Sequence, residues 1–248
     1  MVIRTGITRN PSTNYKTSKH CVAYLDILGT KNKIYEDNDG KFLNYLNMLC
    51  KDAISEASNA KAFGYNDFFV KIFSDNMLFA VNTEDESTRL DKISLMFCII
   101  SNIQNEVLNY GHLIRGAIVE GEFFHNDIIV YGKALVDAVN IEEKIAEYPR
   151  IIMQDKIEKE LQQYAFRDID GLYFLNSLFN IHGFEYVNVK MQLLEMLKKY
   201  KSDIRIKKKV MWAINYFNEW YKSPYYRGWE RPQIAKDEIT VALEQPAL

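Results

Sequence analysis

The stretch Asp67 to Val81, DFFVKIFSDNMLFAV, constrains the fold more than any other part of this chain. Two apolar arms dense in strand formers flank Ser74-Asp75-Asn76, and those three residues favour turns. The pattern predicts a β-hairpin with Asp75 at its tip. Upstream, Cys21-Val22-Ala23-Tyr24-Leu25 reads as a strand that stops at Asp26-Ile27-Leu28-Gly29, where glycine permits a turn.

Helical spacing fills the gaps between these strands. From Lys41 to Ala62, apolar residues recur at Phe42, Tyr45, Leu46, Leu49, Ala53 and Ile54. A second helix is expected over Thr88 to Tyr110. Leu113 to Phe124 then reads as a strand with Asp127 to Tyr131 as its antiparallel partner. Gly132 breaks the pattern before a helix from Ala134 to Glu147, Pro149 ends that helix, and Arg150 to Met153 form another strand. This order predicts an α+β fold with a mainly antiparallel sheet and helices on one face. Past Asp155 the chain turns helical and charged, with an apolar patch over Gly171 to Phe184, amphipathic helices over 190–222 and a wrapping tail at the end. The expected organisation is a loose tail over 1–19, a core over 20–155 and a mostly helical C-terminal extension over 156–248 packed on that core.

The formal net charge of −2 gives no global pull toward nucleic acid or anionic membrane. No nucleic-acid recognition motif accompanies the basic run Lys198 to Lys209, so nucleic acid is not an expected partner. Cys21, Cys50 and Cys98 lie apart within apolar runs, without metal or disulfide spacing, which suits a reducing cytoplasm. The polar N-terminus lacks the apolar core of a signal peptide, and no run reaches the length of a membrane span. There is no GxGxxG, no GxxxxGK[ST] and no GxSxG, and the histidines have no zinc or triad spacing. The Glu142-Glu143 pair reads as the polar face of a helix.

Two carboxylates remain. Asp26 ends a run of strand formers, and Asp75 follows Phe68-Phe69-Val70-Lys71-Ile72-Phe73. Charges beside such apolar surroundings are costly unless something positive meets them, and a divalent cation relieves the repulsion of a carboxylate pair. By itself the spacing fits equally well two aspartates that cap a strand end and a turn.

Tyr24-Leu25-Asp26-Ile27-Leu28-Gly29 resembles the first metal motif of the class III nucleotidyl cyclases. Lys71-Ile72-Phe73-Ser74-Asp75 resembles the second, with Ser74 in place of the usual glycine. Arg115-Gly116-Ala117-Ile118 with Gly121, Tyr131-Gly132-Lys133-Ala134-Leu135-Val136, Glu142, Tyr148-Pro149-Arg150-Ile151 and Lys209-Val210-Met211-Trp212 continue a series similar to the pyrimidine cyclases of the bacterial Pycsar anti-phage system. The resemblance spans about residues 20–220 and implies a ferredoxin-like sandwich. It also implies a nucleoside triphosphate substrate and a homodimer with composite active sites. Asp26, Asp75 and the Ile27 carbonyl would hold two divalent cations, Mg²⁺ or Mn²⁺. Gly29, Lys71, Ser74, Ile129, Arg115, Arg150 and Lys209 would face substrate. The implied product is a 3′,5′-cyclic nucleotide, cUMP or cCMP in the pyrimidine group. Ile129 stands where purine cyclases carry an Asp or Cys that reads the base, while Val136 and Asn140 replace their Asn–Arg pair. Ile129 therefore suits a pyrimidine, Lys71 suits ATP, and the missing pair suits a degenerate domain that binds without catalysis.

Overall fold

The computed structural model describes residues 14–62, 64–153, 157–182, 184–223 and 233–245. The first thirteen residues of the expected tail, and the expected core–extension boundary at 155, lie outside the described residues.

Strand β1 (Ser18–Ile27) is followed by a short helix α1 (Thr30–Glu36) and the long α2 (Lys41–Ala62). The hairpin β2 (Phe69–Phe73) and β3 (Asn76–Asn82) comes next, turning at Ser74 and Asp75 as its sequence predicts. Ser74 adopts a positive φ of 57°, the left-handed conformation that a tight turn demands. Helix α3 (Glu86–Asn109) starts where the Asp85 carboxylate accepts from the Ser87 N–H, satisfying an otherwise orphaned donor. Then come β4 (Ile114–His125), β5 (Val130–Tyr131), α4 (Lys133–Lys144) and β6 (Ile151–Ile152).

The sheet runs β2-β3-β1-β4-β6 and continues through β8 (Tyr173–Leu175) to β7 (Ala165–Arg167). Every pairing is antiparallel except β4 with β6. Two of these strands add sheet to an extension expected to be mostly helical: the apolar patch near Gly171 supplies β8 and extends the sheet. The period of two along β1 sends Cys21, Ala23, Leu25 and Ile27 to a core shared with α2 and α3. Val22 and Tyr24 face the other side, where α4 lies with Ala134 and Ala138 buried. Helices therefore cover both faces, an addition to the single helical face expected. Gly116 is required where β4 crosses β1, because a Cβ there would stand 2.4 Å from the Tyr24 carbonyl oxygen.

Helices α5 (Phe184–Lys199), α6 (Ile204–Trp220) and α7 (Lys236–Glu244) build a second apolar cluster. Leu193, Leu197, Val210, Ile214 and Phe217 fill it, and it takes in Leu113 from the start of β4's approach. Helix α7 occupies part of the expected wrapping tail. Among the described residues no helix is long and apolar enough to cross a membrane.

Candidate functional site

Asp26 is the penultimate residue of β1. Its register partners are Asn76 on β3 and Arg115 on β4, so three polar side chains stand abreast on the α4-facing side of the sheet end. The hairpin turn brings Asp75 beside them: the Ile27 N–H donates to the Asp75 carbonyl at 3.4 Å. Asn76 Nδ2 reaches the Asp75 carboxylate at 3.5 Å, and its Oδ1 accepts from the Tyr24 hydroxyl at 2.6 Å. The two aspartates predicted from separate motifs are thus neighbours at one end of the sheet.

Arg115 is the positive centre of this cluster. Its Nε donates to Asp26 Oδ2 at 3.3 Å and lies 2.6 Å from Glu142 Oε1, while Nη1 reaches the Glu142 and Ala146 carbonyls, each at 3.4 Å. The Nε–H points at Asp26, and Glu142 Oε1 is a buried acceptor with no hydrogen-bond donor of its own. Glu142 corrects the reading of the Glu142-Glu143 pair as a polar helix face: only Glu143 is exposed, and Glu142 is 3% exposed. A sequence signal was available, since Ala134, Ala138 and Glu142 recur every four residues along one face of α4.

The electrostatics leave this cluster with more negative charge than the arginine offsets. Burial raises the Asp26 carboxyl above its ordinary range; Arg115 and Lys209 oppose the rise and Asp75 adds to it. Burial likewise raises Glu142, with Asp26 and Glu143 adding to the effect. The Tyr24 phenol is pushed up by burial and by Glu142, Asp26, Asp75 and Glu143. Burial, with Arg115 close by, lowers Lys209.

Beside Asp26 and Ile27 the chain continues into a cleft of about 390 Å³, lined by Leu28, Gly29, Lys33, Tyr200, Arg205 and Lys209. Gly29 takes a φ of 81° as it enters α1, and the Thr30 hydroxyl donates to the Ile27 carbonyl at 2.6 Å. Helix α6 supplies Arg205 and Lys209, and it begins at Asp203, whose carboxylate accepts from the Arg205 and Ile206 N–H groups.

Of the remaining sequence candidates, Ser74 directly precedes Asp75, while Lys71, Ile129 and Arg150 stand outside this group. Lys71 is exposed on the edge strand β2, and Ser74 is exposed at the turn. Ile129 is 51% exposed before β5, its N–H and carbonyl tied to Asn126. Arg150 is 2% exposed, its two terminal nitrogens taken by Asp168 and Asp170 and its Nε without a hydrogen-bond partner. Among the described residues no three His, Cys, Asp or Glu side chains gather as a ready-made metal set.

No family model matches the chain, and no curated protein matches it. Solved structures similar to it include the adenylyl cyclase CyaB from P. aeruginosa, 16% identical, over 65% of this chain and 95% of that one, with a TM-score of 0.43. The catalytic core of a rhodopsin-guanylyl cyclase with converted specificity, in complex with ATPαS, is 13% identical over 65% and 97%, with a TM-score of 0.44. A bacterial light-regulated adenylyl cyclase is 12% identical over 74% and 100%, with a TM-score of 0.41. Likenesses this distant say nothing of what this chain acts on.

Proposed function

We propose that this chain is a metal-dependent nucleotidyl cyclase, which turns a nucleoside triphosphate into its 3′,5′-cyclic monophosphate and pyrophosphate. The observation that carries the reading is the meeting of Asp26 and Asp75 at the sheet end, next to a cleft lined by Lys33, Arg205 and Lys209. In the reaction the ribose 3′-oxygen bonds to the α-phosphorus as the bond from that phosphorus to the pyrophosphate oxygen breaks. The 3′-hydroxyl proton leaves to water.

The donors suit Mg²⁺ or Mn²⁺, because Asp26, Asp75 and the Ile27 carbonyl offer only oxygen. The raised Asp26 carboxyl, and the sharing of one Arg115 Nε between Asp26 and Glu142, mark a site with more negative than positive charge. The Ile27 carbonyl keeps a lone pair after accepting from Thr30. When bound there, two such ions would acidify the attacking hydroxyl and offset charge on the phosphates. Arg115 holds the Asp26 carboxylate in place, and Lys209 and Arg205 bind phosphate oxygens of the leaving pyrophosphate.

The finer reading is a pyrimidine substrate, UTP or CTP, met by the apolar Ile129 at the base-reading position. In this reading two copies pair, and Ile129 and Lys71, which lie on exposed arms, would serve the second copy's site. Phe73, Ile128, Tyr131 and Val136 are also exposed there, at 81%, 83%, 67% and 59%. The resemblance to the Pycsar group extends the proposal to a cytoplasmic second-messenger role in anti-phage defence. An ATP cyclase is the second reading, favoured by Lys71, which is exposed and has no carboxylate partner among the described residues.

Incubating the purified protein with each of the four triphosphates and Mn²⁺, and resolving products by mass, tests all of this. A cyclic pyrimidine product, lost in Asp26→Asn and in Asp75→Asn, is the expected result. A cyclic AMP product moves the reading to ATP, and nucleotide bound without any cyclic product overturns catalysis. Partial recovery on mixing Asp75→Asn with Lys71→Ala is expected if the two residues act across subunits.

A further inference from the structure

A larger cavity, of about 830 Å³, opens between α1, the start of α2, the α3–β4 turn and the end of α5. The motif reading gives it no role. One wall is aromatic: Phe42 and Tyr45 pack on the His112 ring at 5.3 and 4.6 Å, and Tyr110 lies 4.8 Å from Tyr45. The other wall carries Lys33, Lys198 and Lys199. Lys33 donates to His112 Nδ1, a neutral acceptor, and lies 5.8 Å from the Phe42 ring centre.

This cationic wall lacks its anion. Among the described residues no carboxylate pairs with Lys33 or Lys199 in an ion pair, although Glu36 and Glu195 also line the cavity and Asp37 is engaged by the Phe42 and Leu43 N–H groups. Burial, with Lys199 close by, lowers the Lys33 ammonium to about 8. Burial and the two lysines lower His112 to about 3, so the imidazole is neutral. Two ammonium groups and a ring wall, in a space within the range that holds small ligands, match a planar ring carrying a phosphate.

We propose that this cavity is a second binding site, distinct from the Asp26–Asp75 cleft, for a nucleotide-sized phosphate monoester on an aromatic base. Lys33 and Lys199 would engage the phosphate, and Phe42, Tyr45 and Tyr110 would hold the ring. Lys33 and His112 also line the cleft beside Gly29, so the two spaces share a wall and an occupant of one touches groups that border the other.

The test uses the full chain carrying Asp26→Asn and Asp75→Asn, in EDTA, so that the proposed metal site contributes nothing. Calorimetric titration with AMP and UMP is compared with inorganic phosphate and with adenosine. Saturable binding of a nucleotide is expected, weakened about tenfold or more by Lys33→Gln and by Lys199→Gln, as loss of a charge-assisted bond requires. The His112 ring signals should shift on binding in the parent chain. Lys209→Gln should leave the affinity unchanged. The proposal is overturned if no nucleotide binds, if phosphate alone binds equally well, or if Lys209→Gln removes binding while Lys33→Gln and Lys199→Gln do not. Because both aspartates are already replaced, failure here leaves the cyclase reading untouched, and failure of the cyclase assay leaves this site standing.

Discussion

Two arginines, Arg115 and Arg150, each face two carboxylates, and the outcome is opposite. Arg150 sits 2% exposed, with one guanidinium nitrogen on Asp168 and the other on Asp170. Those carboxylates have further donors: Trp212 Nε1 and the Ile169 N–H serve Asp168 at 2.8 and 2.7 Å, and the Leu172 N–H serves Asp170 at 3.1 Å. The Arg150 hydrogen bonds hold Asp170 below the ordinary aspartate range. Arg115 meets Asp26 and Glu142 with a single Nε, its outer nitrogen goes to backbone carbonyls, and both acids are raised. The difference is donors per carboxylate. Carboxylates that each meet several donors hold a fold together, whereas two that share one donor repel and are what the proposed cation would relieve.

Breaking the Arg150 cluster gives the largest effect. Arg150→Met strands Asp168 and Asp170 and is expected to cost roughly 3–5 kcal/mol of unfolding free energy, read from urea titration. The same measurement on Asp26→Asn should move the other way, with a gain of up to about 1 kcal/mol, because the substitution removes an under-compensated half-buried charge. A loss of stability in Asp26→Asn would erase the contrast between the two clusters.

The smallest effect is a pH signature with two parts. Asp26 and Glu142 have folded-state values above their unfolded ones, so their protonation favours the folded state. Their contribution is fully present below the unfolded value and is lost as pH rises through the folded one. Stability should therefore increase as pH falls through the raised folded-state values toward the ordinary carboxylate range, and the double change Asp26→Asn with Glu142→Gln should flatten that rise. Asp170 has a depressed value, so its contribution holds above about pH 4 and is lost below. Asp170→Asn should remove that part of the acid-side loss and leave the other limb intact.

The Arg115 cluster was the more legible of the two. Strand formers run directly into Asp26, and turn formers surround Asp75, so local pattern alone set both at element ends. Helix α2 ran over the residues its spacing predicted. Glu142 and Arg150 were misjudged because burial is decided by what arrives from elsewhere. Arg115 reaches Glu142 across a sheet, and Asp168 and Asp170 meet Arg150 from the turn between β7 and β8, a hairpin too short to announce itself by alternation. The cavity around Lys33 was invisible for the same reason: its walls come from four separate segments, none with a motif of its own.

The continuation of the sheet through β6 into β8 has a consequence for biosynthesis. β6 pairs with β4 on one side, and its other side is completed by Phe174 of β8. Leu113, at the start of the central strands, is covered by side chains as late as Phe217. Translation therefore delivers the Asp26–Asp75 end of the sheet well before the residues that seal its far edge and its underside. The emerging polypeptide must keep that edge and those apolar groups from other chains until the last helices leave the ribosome.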